Sequence, residues 1–137
     1  MLITLTALSG IFGEIWGGLL ADSLGRKKII NWGILLMIFS IIFLVLKPPL
    51  WFLALTMIIW GLGWTFNHVG LATMLTDLPP DALNEAASLN SSIRFISGGL
   101  GMSLGGFIMS KSFNLGFVVF GCGLFFLLSR GKLTKIK

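Results

Sequence analysis

The stretch at residues 18–28 reads Gly-Leu-Leu-Ala-Asp-Ser-Leu-Gly-Arg-Lys-Lys and separates two long apolar segments. A short connection between two membrane helices must turn sharply, and Gly25 permits backbone angles that a Cβ would obstruct. Asp22 ends the first apolar segment, and a run of three bases at 26–28 precedes the second. Bases beside apolar segments stay mainly on the cytoplasmic side of a membrane. The stretch therefore predicts a tight cytoplasmic turn between two transmembrane helices.

The composition indicates a membrane protein. The chain has 137 residues, of which 55% are hydrophobic and 11% charged, and its mean hydropathy is +0.97. A soluble domain of this length keeps too large a surface to bury so much apolar area. The net charge of +5 comes from bases at the ends of apolar segments rather than on one polar face, so we expect no nucleic-acid partner.

The sequence offers no catalytic or metal-binding constellation. It contains one cysteine and one histidine, which excludes an intrachain disulfide and any set of metal ligands at zinc-site spacing. Cys122 lies in an apolar segment, where we interpret it as a packing residue rather than a redox site. We therefore expect neither an enzyme nor a bound cofactor or metal.

Charges and prolines divide the chain into five apolar segments. Each approaches the ~20 residues that cross ~30 Å of hydrocarbon as a helix. Both proline pairs fall between segments, where they interrupt no helical hydrogen bond. We predict an all-α, polytopic membrane helix bundle that forms one domain over residues 1–137, with transmembrane helices at 2–21, 29–46, 50–75, 86–109 and 113–128.

The distribution of Lys and Arg predicts the orientation. If the turn at 26–28 is cytoplasmic, seven of the ten bases lie on the cytoplasmic side: Arg26, Lys27, Lys28, Arg130, Lys132, Lys135 and Lys137. Lys47 and Lys111 lie on the other side, and Arg94 falls within the fourth helix. We therefore expect a multi-pass protein of the plasma or inner membrane, with the N-terminus outside and the C-terminus in the cytoplasm.

The turn resembles the signature between helices 2 and 3 of a six-helix half in major facilitator superfamily (MFS) transporters. The residues at its preferred positions are Gly18, Leu20, Ala21, Asp22, Gly25, Arg26 and Lys27, whereas Ser23 replaces a usual base. The resemblance implies that the five helices are helices 2–6 of one half, and that the chain is a fragment. It also implies an ion pair between Arg26 and Asp77, and partners consisting of membrane lipid and the missing N-terminal half or a second copy.

Two further patterns favour the C-terminal half and the drug/proton antiporter branch, which includes multidrug and tetracycline efflux. The third segment lacks the arginine of the N-terminal half. The run 97–106 is similar to a glycine-rich antiporter pattern, with Met102 in place of its proline and Ser97 in place of its first glycine. Ala87-Ser88-Leu89-Asn90 adds to this likeness.

The resemblance implies secondary active efflux of drugs or other small molecules by proton antiport with alternating access. Two alternatives remain open. The chain could be a small stand-alone membrane protein that packs with or modulates another membrane protein. It could also belong to an MFS transporter of another substrate class, such as sugars or organic anions.

Three polar residues inside apolar segments are candidates for proton coupling. Glu14 could exchange protons, or it could form a fixed structural pair. Arg94 should face a cavity or an acid, or else extend to the cytoplasmic headgroups. His68 could carry protons, or it could be a hydrogen-bonded core residue.

Other side chains are candidates for a substrate cavity and for helix packing. Trp60, Trp64 and His68 share one face of the third segment, with Asn67 adjacent to it and Asn90 one turn before Arg94. Flat aromatic and polar side chains suit an amphipathic drug, but tryptophan is also common at membrane interfaces. Small residues at Ser97, Gly101 and Gly105 recur every four positions, which favours close helix packing or a hinge.

Overall fold

The computed structural model describes residues 2–133, and the side chains through Arg130. Its described residues form five helices: α1 (Leu2–Leu24), α2 (Arg26–Val45), α3 (Leu50–Leu75), α4 (Pro80–Lys111) and α5 (Phe113–Leu133). All five are long and apolar enough to cross a membrane. The all-α membrane bundle expected from the sequence is confirmed.

The helix boundaries correct some of the expected segments. α3 has the predicted ends, but α1 continues to Leu24 and α2 begins at Arg26, so that Gly25 alone connects them. α4 begins at Pro80 rather than at residue 86, because proline is suited to the first turn of a helix and Asp81 complements the helix dipole there. α5 continues past residue 128 to Leu133, since a helix can extend beyond the hydrocarbon.

The first three helices form the packed part of the bundle. α1 and α3 run in the same direction, with Gly13 against Thr65 and Gly17 against Phe66. α2 runs antiparallel to α3, and Gly33 lies directly against the backbone of Gly63. The hydroxyl of Thr65 donates to the carbonyl of Gly61 at 2.8 Å, so this buried polar group is satisfied within its own helix.

α4 lies at the margin of this packed part. Gly105, against Phe120 of α5, is its only buried residue among the described residues. α4 meets α3 at few points, and its large apolar side chains are exposed; Phe95, for example, is 82% exposed. Because an apolar surface of this extent is not stable in water, it must face lipid or another protein.

Candidate functional site

The turn at Gly25 brings together charged residues from two helices. Gly25 has φ +98°, and the helices on either side of it end and begin without another linking residue. The guanidinium of Arg26 forms a salt bridge with the carboxylate of Asp77, just beyond α3. Asp22 lies in the same open cleft, of about 560 Å³, as both of these residues. Together they mark one end of the bundle, which we call the turn end.

Glu14, His68 and Arg94 lie at similar depth. At about 1.5 Å per residue, Arg94 is roughly 25 Å from Lys111 along α4, and His68 is roughly 27 Å from Leu50 along α3. Gly13 packs against Thr65, so Glu14 lies within about one helical turn of the level of His68. The three residues therefore form a polar layer in the half of the bundle nearer the turn end.

Arg94 and His68 are joined by a hydrogen bond across α3 and α4. The Nη1 atom of Arg94 is 2.7 Å from Nε2 of His68. A guanidinium has only donors, so Nε2 must accept and the imidazole carries its proton on Nδ1. The bond therefore holds His68 in its neutral form and leaves the charge of Arg94 without a counterion in this contact.

Two grooves lie on either side of Trp60 and Trp64. The first, here the acidic groove, has a volume of about 540 Å³ and is lined by Glu14, Thr6 and Met57 as well as both tryptophans. The second, here the basic groove, has a volume of about 890 Å³ and is lined by Arg94, Ser91 and Phe95 with the same tryptophans. One pair of aromatic side chains thus separates a carboxylate from a guanidinium.

The structure places the other candidate residues in different surroundings. Asn67 lies with its backbone against Gly33 of α2, and neither it nor Asn90 lines these grooves. Ser97 lines the basic groove and donates to the carbonyl of Arg94 at 3.1 Å. Gly101 has open space where a Cβ would stand.

Several lining residues were not anticipated from the sequence. Ser91 and Phe95 lie on the Arg94 face of α4. The three- and four-residue spacing of Ser91, Arg94 and Gly98 could have predicted this shared face from the sequence. Met57 and Thr6 could not be predicted as lining residues of the acidic groove, because their position depends on how α1 packs against α3. No group of metal-ligating side chains occurs within the part of the chain that the structure describes.

Comparison with known proteins gives one match. The family model described as Major Facilitator Superfamily matches residues 1–131. Neither the curated proteins nor the solved structures contain a match to the chain.

Proposed function

Since the chain belongs to the major facilitator superfamily of membrane transporters, we propose that it forms part of a secondary transporter that expels drugs in exchange for protons. Its mechanism is alternating access, in which two helical bundles rock about a site near the middle of the membrane. Protons and a small amphipathic molecule are the transported species.

The observation that carries this proposal is the position of Glu14 in the acidic groove. Its carboxylate shares the groove with Trp60 and Trp64. Aromatic faces attract cations, and a carboxylate in an apolar segment must pair with a cation or take up a proton. A lipophilic cation and a proton therefore compete for the same group, and this competition is what an antiporter requires.

The exposure of α4 supports a partner bundle. Along its 32 residues, α4 buries only Gly105 within the described chain. Helix interfaces in membranes need close contact between small residues, and Gly99, which does not line the basic groove, has open space beside it. The partner we propose is the other half of the transporter or a second copy of this chain.

The test is efflux of ethidium, a lipophilic cation, from cells that express the protein from its own gene and lack other efflux pumps. Glu14→Gln keeps the shape of the side chain but cannot hold a negative charge. Efflux driven by an imposed proton gradient should fall at least about tenfold, because contacts to a charged group contribute about 1.5–3 kcal/mol.

The matched control is Glu85→Gln, which removes a carboxylate from the exposed first turns of α4. It should leave efflux unchanged. Gradient-driven efflux that is equal in the Glu14→Gln protein and the original protein, at equal amounts in the membrane, would exclude Glu14 from proton coupling.

A further inference from the structure

The basic groove has a chemistry opposite to that of the acidic groove, although the two share Trp60 and Trp64. We propose that the basic groove is a separate binding site for an amphipathic organic anion. Its ligand has a flat apolar body and one carboxylate or sulfonate. The proposal goes beyond proton-coupled cation efflux and does not depend on Glu14.

The first argument is the uncompensated charge of Arg94. The residue is followed by an uncharged stretch as far as Lys111, so its guanidinium lies at the edge of an apolar span. A cation in such a position requires a partner. The partner that it has, His68, accepts one hydrogen bond as a neutral ring and supplies no negative charge.

The second argument is the supply of free donors. A guanidinium has five N–H donors in a planar fork, and the bond to His68 uses one of them. Among the described residues, no carboxylate forms a salt bridge with Arg94. The remaining donors match the two oxygens of a carboxylate or the three of a sulfonate. His68 acts as a positioning residue, because its bond fixes the guanidinium at the wall of the groove.

The third argument is the space beside the charge. Gly98 and Gly101 line the groove next to Arg94, and neither has an atom within 4 Å of the position of a Cβ. Trp64 is 57% exposed and offers a flat apolar surface. A volume of about 890 Å³ accommodates a two-ring aromatic ligand with its charged group at Arg94.

The same chemistry could come from a soluble organic anion or from the headgroup of an anionic lipid. Both combine an apolar body with a single negative group. A test must therefore contain one arm for each source.

The experiment measures binding of radiolabelled 2-naphthalenesulfonate to the purified full chain in phosphatidylcholine nanodiscs by equilibrium dialysis. Arg94→Gln should weaken binding at least about tenfold, and Arg94→Lys should weaken it less, because the charge remains and the fork is lost. The matched control, Lys111→Gln, removes one positive charge from the same helix and should not change the affinity. Uncharged 2-naphthylmethanol should bind equally weakly to all four proteins.

Circular dichroism shows whether each variant is folded, and Arg94→Lys keeps the test valid if Arg94→Gln is not. In a second arm, half of the lipid is phosphatidylglycerol. Weaker binding of the sulfonate to the original protein, with no change in Arg94→Gln, would show that the lipid headgroup occupies the same site. Equal sulfonate affinity of the original protein and folded Arg94 variants would overturn the proposal, as would equal binding of the alcohol.

The two proposals fail separately. If the anion site is wrong, Arg94→Gln leaves sulfonate binding unchanged while Glu14→Gln still lowers proton-driven ethidium efflux at least about tenfold. If proton antiport is wrong, Glu14→Gln leaves efflux unchanged while sulfonate binding still depends on Arg94.

Discussion

Gly25 is the residue that makes a one-residue connection between α1 and α2 possible. Its backbone angles, φ +98° and ψ 139°, lie where L-residues with a Cβ are strained. The connection in turn places Arg26 at the first position of α2, within reach of Asp77. Because Asp77 remains 64% exposed, the salt bridge itself adds only about 0–1 kcal/mol. The geometry of the turn end therefore depends more on the glycine than on the ion pair.

We expect Gly25→Ala to lower the free energy of unfolding by about 1–3 kcal/mol, because the added Cβ is incompatible with this backbone. The matched control is Gly18→Ala, because Gly18 lies inside α1 with open space beside it. That change should be neutral or stabilising by up to about 1 kcal/mol, since alanine favours helix. Thermal unfolding of the two variants in detergent provides the comparison. Equal unfolding temperatures of Gly25→Ala and Gly18→Ala would show that a Cβ at position 25 does not strain the backbone.

Some contacts of single residues were predictable from the sequence and others were not. The resemblance to the major facilitator superfamily implied a pair between Arg26 and Asp77, which form a salt bridge at one end of the bundle. The bond between Arg94 and His68 was not foreseen, although each residue was a candidate by itself. Their meeting depends on the angle at which α4 crosses α3, and no local pattern in the sequence fixes that angle.

At the scale of helices, α2 and α3 approach each other closely enough to bring their backbones into contact. A Cβ on Gly33 would stand 2.6 Å from the carbonyl oxygen of Gly63 and 2.8 Å from the backbone nitrogen of Asn67. These are backbone atoms, so a side chain at this position can be accommodated only if the helices separate. Helices in lipid associate through such close packing, because lipid provides no hydrophobic driving force between them.

We expect Gly33→Ala to destabilise the bundle by about 1–3 kcal/mol, the usual cost of an added methyl group in a filled core. Gly106→Ala is the matched control, because its Cβ would meet nothing within 4 Å. Denaturation by increasing detergent or urea, followed by circular dichroism, measures both. If Gly106→Ala were as destabilising as Gly33→Ala, the tight packing would have to lie along α4 instead.

The number of helices was predictable from the sequence, but not all of their ends. Charges and prolines located all five, and the ends of α3 were correct. The start of α4 was placed too late, because an acidic, proline-containing segment was interpreted as a loop although proline and aspartate both suit a first helical turn. The glycine pattern in α4 predicted close packing of that helix, whereas within the described residues the glycines that lie against the backbone of another helix are between α2 and α3 and between α1 and α3.

At the scale of the whole molecule, successive helices run in opposite directions, so every second connection lies at the same end of the bundle. The salt bridge of Arg26 with Asp77 places the α1–α2 and α3–α4 connections at the same end. The α2–α3 and α4–α5 connections, with Lys47 and Lys111, must then lie at the opposite end. Lys135 and Lys137, which contribute to the charge argument, lie outside the described residues.

We propose that the turn end is cytoplasmic, because it carries the larger share of Lys and Arg. The test uses a Cys122→Ala background, which removes the only cysteine, and adds either Lys47→Cys or Leu78→Cys. Both positions are exposed at connections between helices. In intact cells, a membrane-impermeant maleimide should label the cysteine at 47 and reach the cysteine at 78 only after permeabilisation. The reverse pattern would show that the bundle has the opposite orientation in the membrane. Glu14, His68 and Arg94 would then lie nearer the outer surface, and the proposed antiporter would bind its drug from the wrong side.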